Sequence, residues 1–113
     1  MSFANCFYKK RKLSLKKLEN MVNEWASIVG VDKKDICINI IKEYSQLGQK
    51  YPVLVNLYLP TLWSPNDIKR IQLGLLKVLS KYLEVKENEI FIMTSLIQSE
   101  HVVENGQIVK WEH

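Results

Sequence analysis

The residues with the most chemical character lie near the amino terminus, where Lys9-Lys10-Arg11-Lys12 is followed by Lys16 and Lys17. Such a run is either a solvated loop or a loop that contacts an anion. The net charge of +4 permits an acidic or a nucleic-acid partner. Nucleic acid is the weaker expectation, because the basic, Gly, aromatic, small, aromatic pattern of ribonucleoprotein strands is absent. Cys6 and Cys37 sit in apolar strand-like runs, with no CxxC and no histidine at ligand spacing, so they are expected to be buried free thiols. A zinc site takes about four ligands, and His101 and His113 lie in a tail with no thiol near them, so no metal and no cofactor is implied. His101 is a further acid–base candidate by residue type, and a lone histidine in a hairpin is ordinarily just exposed. No stretch approaches the roughly 18 apolar residues of a membrane helix, and Met1–Tyr8 lacks an apolar signal core, so a cytoplasmic protein is expected.

The elements that must position these residues occur twice in the same order. Phe3-Ala4-Asn5-Cys6-Phe7-Tyr8 is an aromatic-rich strand ended by the basic run. Ser14 is an N-cap, and Leu15, Leu18, Val22, Trp25, Ile28 and Val29 recur at helical spacing until Gly30 stops the helix. Ile36 to Ile41 is a second strand, with Ile36, Ile38 and Ile40 on one face and Cys37 and Asn39 on the other. The order then repeats from Tyr51-Pro52. Val53, Val55, Leu57 and Leu59 alternate with Leu54, Asn56 and Tyr58. Ser64-Pro65-Asn66-Asp67 supplies an N-cap, a proline at the first helical position and an acid at the third. The helix stripe is Ile68, Ile71, Leu75, Val78, Leu79 and Tyr82, and the closing strand is Glu89 to Thr94. With the capping serines as anchors, Ser14 maps to Ser64 and Ser2 maps to Pro52.

His101 to Glu104 and Gln107 to Trp111 flank Asn105-Gly106, the pair that a type I′ hairpin turn favours because both central positions need positive φ. An isolated hairpin is marginal in water, so this one is expected to lean on the domain or on a neighbouring subunit through Trp111 and Val109. The 113 residues thus predict a single domain over 1–113, with pseudo-repeats over about 2–44 and 51–96 and a terminal hairpin over about 100–111.

A β-α-β-β-α-β string fits two α+β architectures, a ferredoxin-like sandwich and a tautomerase-like fold. In the latter, two β-α-β units form a four-stranded sheet with both helices on one face. The repeat favours the second, as does the other sheet face (Asn39, Asn56, Tyr58, Leu54, Cys37), which is too apolar to leave wet and gives a reason to oligomerise.

The second half, from Tyr51-Pro52-Val53-Leu54-Val55-Asn56-Leu57-Tyr58 through Ser64-Pro65-Asn66-Asp67-Ile68 to Glu87-Asn88-Glu89-Ile90-Phe91-Ile92-Met93, resembles a unit of the tautomerase, or macrophage migration inhibitory factor, superfamily. Tyr44 seven residues before Tyr51 and the Asn105-Gly106 hairpin make the whole chain similar to an uncharacterised bacterial branch of it. The resemblance implies a homotrimer with the mixed sheet faces turned inward and sites at the start of the first strand, near subunit boundaries. It also implies keto–enol tautomerisation of a small acidic substrate by an amino-terminal proline acting as general base.

Here the residue after Met1 is Ser2. Pro52 is no substitute, since an internal proline nitrogen is an amide. If Met1 is removed, as a small second residue permits, Ser2 offers a primary α-amine with a reference pKa of roughly 7.7–8.0, a usable base. By position Arg11, with Lys12 beside it, matches the superfamily's carboxylate clamp. Asn56 faces inward as a hydrogen-bond donor, and Tyr44 is a pocket wall. The functional expectation is a tautomerase-like trimer acting on a small keto or enol acid. Its alternatives are a non-catalytic trimeric ligand binder or scaffold that lost the amine chemistry with the proline, and a ferredoxin-like monomer or dimer whose basic loop binds nucleic acid.

Overall fold

The computed structural model describes residues 1–111, so His113 lies outside the described residues. Four strands, β1 (Ser2–Phe7), β2 (Ile36–Ile41), β3 (Val53–Pro60) and β4 (Ile90–Ile97), form one sheet in the order β2-β1-β3-β4. β1 runs parallel to β2 and β3 parallel to β4, while β1 and β3 meet antiparallel at the centre. Parallel neighbours need a crossover, and α1 (Leu15–Val29) and α2 (Pro65–Leu83) supply the two. A ferredoxin-like sandwich splits its β-α-β halves so that they interleave. Here β1 lies directly beside β2, which leaves the tautomerase-like arrangement.

Side-chain alternation gives the sheet its two faces. Ala4, Cys6 and Tyr8, with Val53, Val55, Leu57 and Leu59, are buried against Met21, Trp25 and Val29 of α1 and Ile71, Leu75 and Leu79 of α2. The Trp25 indole N–H donates to the Ile71 carbonyl at 3.3 Å, so the largest core side chain also ties one helix to the other. Burial of Cys6 pushes its thiol up to about 12, consistent with an inert core group. Phe3, Asn5, Phe7, Leu54, Asn56 and Tyr58 occupy the opposite face, and none of them is fully buried.

The helix ends follow the sequence. Ser14 accepts from the Lys17 N–H and Ser64 from the Asp67 N–H, and Gly30 closes α1 with φ 86°. Leu15 departs from the expected stripe, being 73% exposed, and Met21 and Ala26 take its share of the core. β4 runs on to Ile97, three residues past the expected end, because it stays paired with β3 as far as Pro60. Tyr44 lies beyond β2, in an irregular segment that leads to Tyr51.

The repeat match also shifts. Ser2 pairs with Ile36 as Val53 pairs with Ile90, each at the start of its strand. Ser2 is therefore the mate of Val53, and Pro52 is the mate of Met1. The serine caps give a match one residue away because the span from the start of β1 to Ser14 is one residue longer than that from the start of β3 to Ser64. Only this register keeps Ser2 and Val53 both facing the helices.

The hairpin pairs β5 (Val102–Glu104) with β6 (Gln107–Val109), and Asn105 and Gly106 both have positive φ, 55° and 75°. It leans on its own domain: the Trp111 indole donates to Thr61 Oγ1 at 3.1 Å and the Trp111 amide to Ser99 Oγ at 2.8 Å. Among the described residues, no helix is long and apolar enough to cross a membrane.

Candidate functional site

Two regions at opposite ends of β1 carry the expected site residues. At its head, Ser2 is 2% exposed and points toward the helices. Met1 and Phe3 beside it line two shallow cavities. One, of about 430 Å³, spreads over the open sheet face past Asn5, Asn39 and Tyr58 to His101 on the hairpin. The other, of about 240 Å³, is bounded by Lys34, Asp35 and Cys37 where β2 begins. With Met1 in place, its side chain forms part of both walls.

Asn5 and Asn39 line the first cavity as two members of an asparagine row whose third, Asn56, lies outside the cavity lining. Asn39, Asn5 and Asn56 are direct partners across β2, β1 and β3, and Asn39 Nδ2 donates to Asn5 Oδ1 at 2.9 Å. Asn56 continues the row next to Met93. A line of amides on an otherwise apolar face is well suited to orient a small polar ligand. Asn5 carries no signal of its own in the sequence, because its alignment with Asn39 and Asn56 exists only through the strand registers.

At the foot of β1, six residues and roughly 20 Å away at about 3.3 Å per residue, the basic run turns outward. Arg11 pairs with Glu84 Oε2, which Lys17 approaches at 3.8 Å, and Lys42 donates to the Arg11 carbonyl. Glu84 is the left-handed cap residue of α2, φ 55°, so the helix end itself presents the carboxylate to Arg11. Lys12 is exposed. Within the chain neither side chain meets Ser2.

Tyr44 belongs to this end. Its ring meets Phe7 edge-on at 5.5 Å between centroids, and the Lys9 ammonium sits 4.7 Å above it while donating to the Tyr44 carbonyl at 3.1 Å. Partial burial pushes the Tyr44 phenol up, which keeps it a neutral donor. Lys9, Lys10 and Tyr44 share a cavity of about 510 Å³ with Gln46, Lys50, Tyr51 and Pro52. Gln46 and Lys50 carry no site signal in the sequence, where Tyr51-Pro52 enters only through the repeat and the family resemblance. Among the described residues, no group of three His, Cys, Asp or Glu side chains is arranged to hold a metal ion.

Two β-α-β units joined side by side in one sheet, with both helices on one face, define the tautomerase fold. No family model matches the sequence, and no curated protein matches it. Solved structures do. Native fused 4-OT superposes with a TM-score of 0.79 at 10% identity, covering 94% of each chain. The macrophage migration inhibitory factor from Trichinella spiralis gives 0.71 at 15% identity, over 95% of this chain and 97% of that one. N1, a member of the cis-3-chloroacrylic acid dehalogenase family, gives 0.75 at 8% identity, over 95% and 82%. Fused 4-OT is also known as wild-type symmetric and asymmetric trimers.

Proposed function

We propose that the protein is a cytoplasmic homotrimer, each subunit one domain, that interconverts the keto and enol forms of a small acidic substrate, with the α-amine of Ser2 as proton carrier after loss of Met1. The observation that carries this reading is the position of Met1, which forms part of the wall of both cavities at the head of β1. Its removal would leave a primary amine at the junction of the two, between the asparagine row and Lys34. An amine there accepts a proton from the carbon next to a carbonyl and returns it to oxygen or carbon. Lys34 faces the substrate carboxylate, and Asn5 with Asn39 orients the carbonyl. Arg11 and Lys12 join such a site only across a subunit boundary. Assembly through the open face would cover Phe3 and Met93, 38% and 51% exposed in the isolated chain, and the fused 4-OT trimers are the precedent.

Intact mass establishes whether Met1 is absent, and an enol-to-keto assay on a phenylpyruvate-type acid reads the activity. Acetylating the α-amine is expected to abolish turnover while the trimer persists in native mass measurements. Unchanged turnover after acetylation overturns the base assignment. A second reading, a non-catalytic trimeric binder of small acids, is favoured by one observation. Arg11 is engaged by Glu84 at the far end of β1 and so gives Ser2 no clamp from its own subunit. That reading predicts binding of the same acid with no turnover before or after acetylation.

A further inference from the structure

The cavity at the foot of β1 is separate from the Ser2 end, and its lining is chemically coherent. Three lysines, Lys9, Lys10 and Lys50, border a volume of about 510 Å³ whose walls are Tyr44 and Tyr51. None of the three has a carboxylate within ion-pair distance among the described residues, whereas Arg11, Lys17 and Lys81 do. Converging like charges repel one another, and a bound anion relieves that repulsion. The volume falls within the range of small-molecule sites.

The walls are held from behind. Tyr51 packs against Phe91 at 4.8 Å between centroids with the rings tilted by 39°, and Tyr44 meets Phe7 edge-on. The irregular segment between β2 and β3 is closed by the Gln46 side chain, which accepts from the Tyr51 N–H at 2.9 Å and donates to the Tyr51 carbonyl at 3.2 Å. Gln49 donates to the Tyr51 hydroxyl at 2.7 Å. Two aromatic walls set before a ligand arrives lower the ordering cost of binding.

We propose that this cavity is a second, non-catalytic ligand site that takes a planar aromatic anion, with doubly charged head groups preferred over singly charged ones. The rings stack against Tyr44 and Tyr51, and the anionic head meets Lys9, Lys10 and Lys50. Pro52 occupies in the second repeat the place of Met1 in the first, and its amide nitrogen has no basic lone pair, so this site binds without amine chemistry.

The test is calorimetric titration of the full chain at low salt with 2-naphthyl phosphate, 2-naphthoate and neutral 2-naphthol. The phosphate is expected to bind tightest and the naphthol weakest. The double variant K9Q/K50Q removes two exposed charges without touching the core, and is expected to weaken phosphate binding about tenfold, each exposed pair being worth up to roughly fivefold. Lys69→Gln, on the exposed face of α2, controls for overall charge and is expected to leave binding unchanged. Equal affinity for naphthol, an unaffected K9Q/K50Q, or an equal loss in K69Q overturns the proposal. Acetylation of the α-amine is expected to leave phosphate binding intact even if it abolishes turnover. Loss of binding on acetylation would mean a single site at the amino terminus and would overturn the second one. Absence of turnover with binding retained would remove only the catalytic reading of Ser2.

Discussion

Gly74 lies where α2 crosses α1, and a methyl group there would fall well inside 3.0 Å of Ile28 Cγ2, with Ile28 Cβ at 3.4 Å and Cδ1 at 3.5 Å. Two effects oppose each other in Gly74→Ala. Alanine stabilises a helix interior by roughly 1 kcal/mol over glycine. Overpacking a close contact costs about 1–3 kcal/mol. Whether the clash wins depends on Ile28 moving aside. Its branched side chain has essentially one helical rotamer. Its backbone carbonyl accepts from Arg70, whose guanidinium also reaches the Val29 carbonyl at 3.5 Å and Asp67 at 3.3 Å. Arg70 thus anchors the end of α1 to α2, and Ile28 has little room to retreat.

The expected net effect of Gly74→Ala is a loss of about 1 kcal/mol, or roughly 5 °C in Tm for a domain of this size. In an Ile28→Ala background the obstructing methyl is gone, so the same substitution is expected to stabilise by up to about 1 kcal/mol. The double-mutant cycle should therefore return a coupling of about 2 kcal/mol. Thermal unfolding by circular dichroism at fixed protomer concentration measures all four variants and avoids mass-action shifts from assembly. A higher Tm for Gly74→Ala in the parent chain, or the same change in both backgrounds, would refute the reasoning.

Further outcomes follow from the same contacts. Trp111→Ala removes the bond to Thr61 Oγ1 and is expected to raise amide exchange across β5 and β6 while the four-stranded sheet keeps its protection. Cys6 is sealed in the core with its thiol raised to about 12, so iodoacetamide at pH 8 should leave it unmodified until denaturant is added; native alkylation at Cys6 would contradict the packing. Glu24 is held below the usual carboxylate range, first by its hydrogen bond from Lys81, and Asp67 first by its bond with the Ser64 side chain. A depressed carboxyl contributes stability above its unfolded value, here 4.5 and 3.8, and loses it as pH falls through the lower folded value. The double variant E24Q/D67N should accordingly lower Tm at pH 7 and show a flatter acid limb in a pH titration of Tm, converging with the parent chain below the folded values of the two carboxyls.

The sequence by itself determined the elements and their order, because the signals for them are local. Hydrophobic spacing, the serine caps, Gly30 and Asn105-Gly106 each act within a turn or two of chain, and helix and hairpin bounds came out within a few residues of those signals. What it left open was whatever depends on strand register, since one residue of slip turns every side chain to the other face. Matching the halves on their capping serines paired Pro52 with Ser2, and the true ladder pairs it with Met1. The asparagine row, the engagement of Arg11 by Glu84 and the distance between Arg11 and Ser2 are long-range facts of the same kind. So is the lysine–tyrosine cavity, whose lining comes from two segments more than thirty residues apart in sequence. Each segment is visible in the sequence, one as a basic run and the other by its tyrosines, but nothing local says that they meet. Only the antiparallel meeting of β1 and β3 brings the foot of one strand to the head of the other, and the cavity exists because of that meeting.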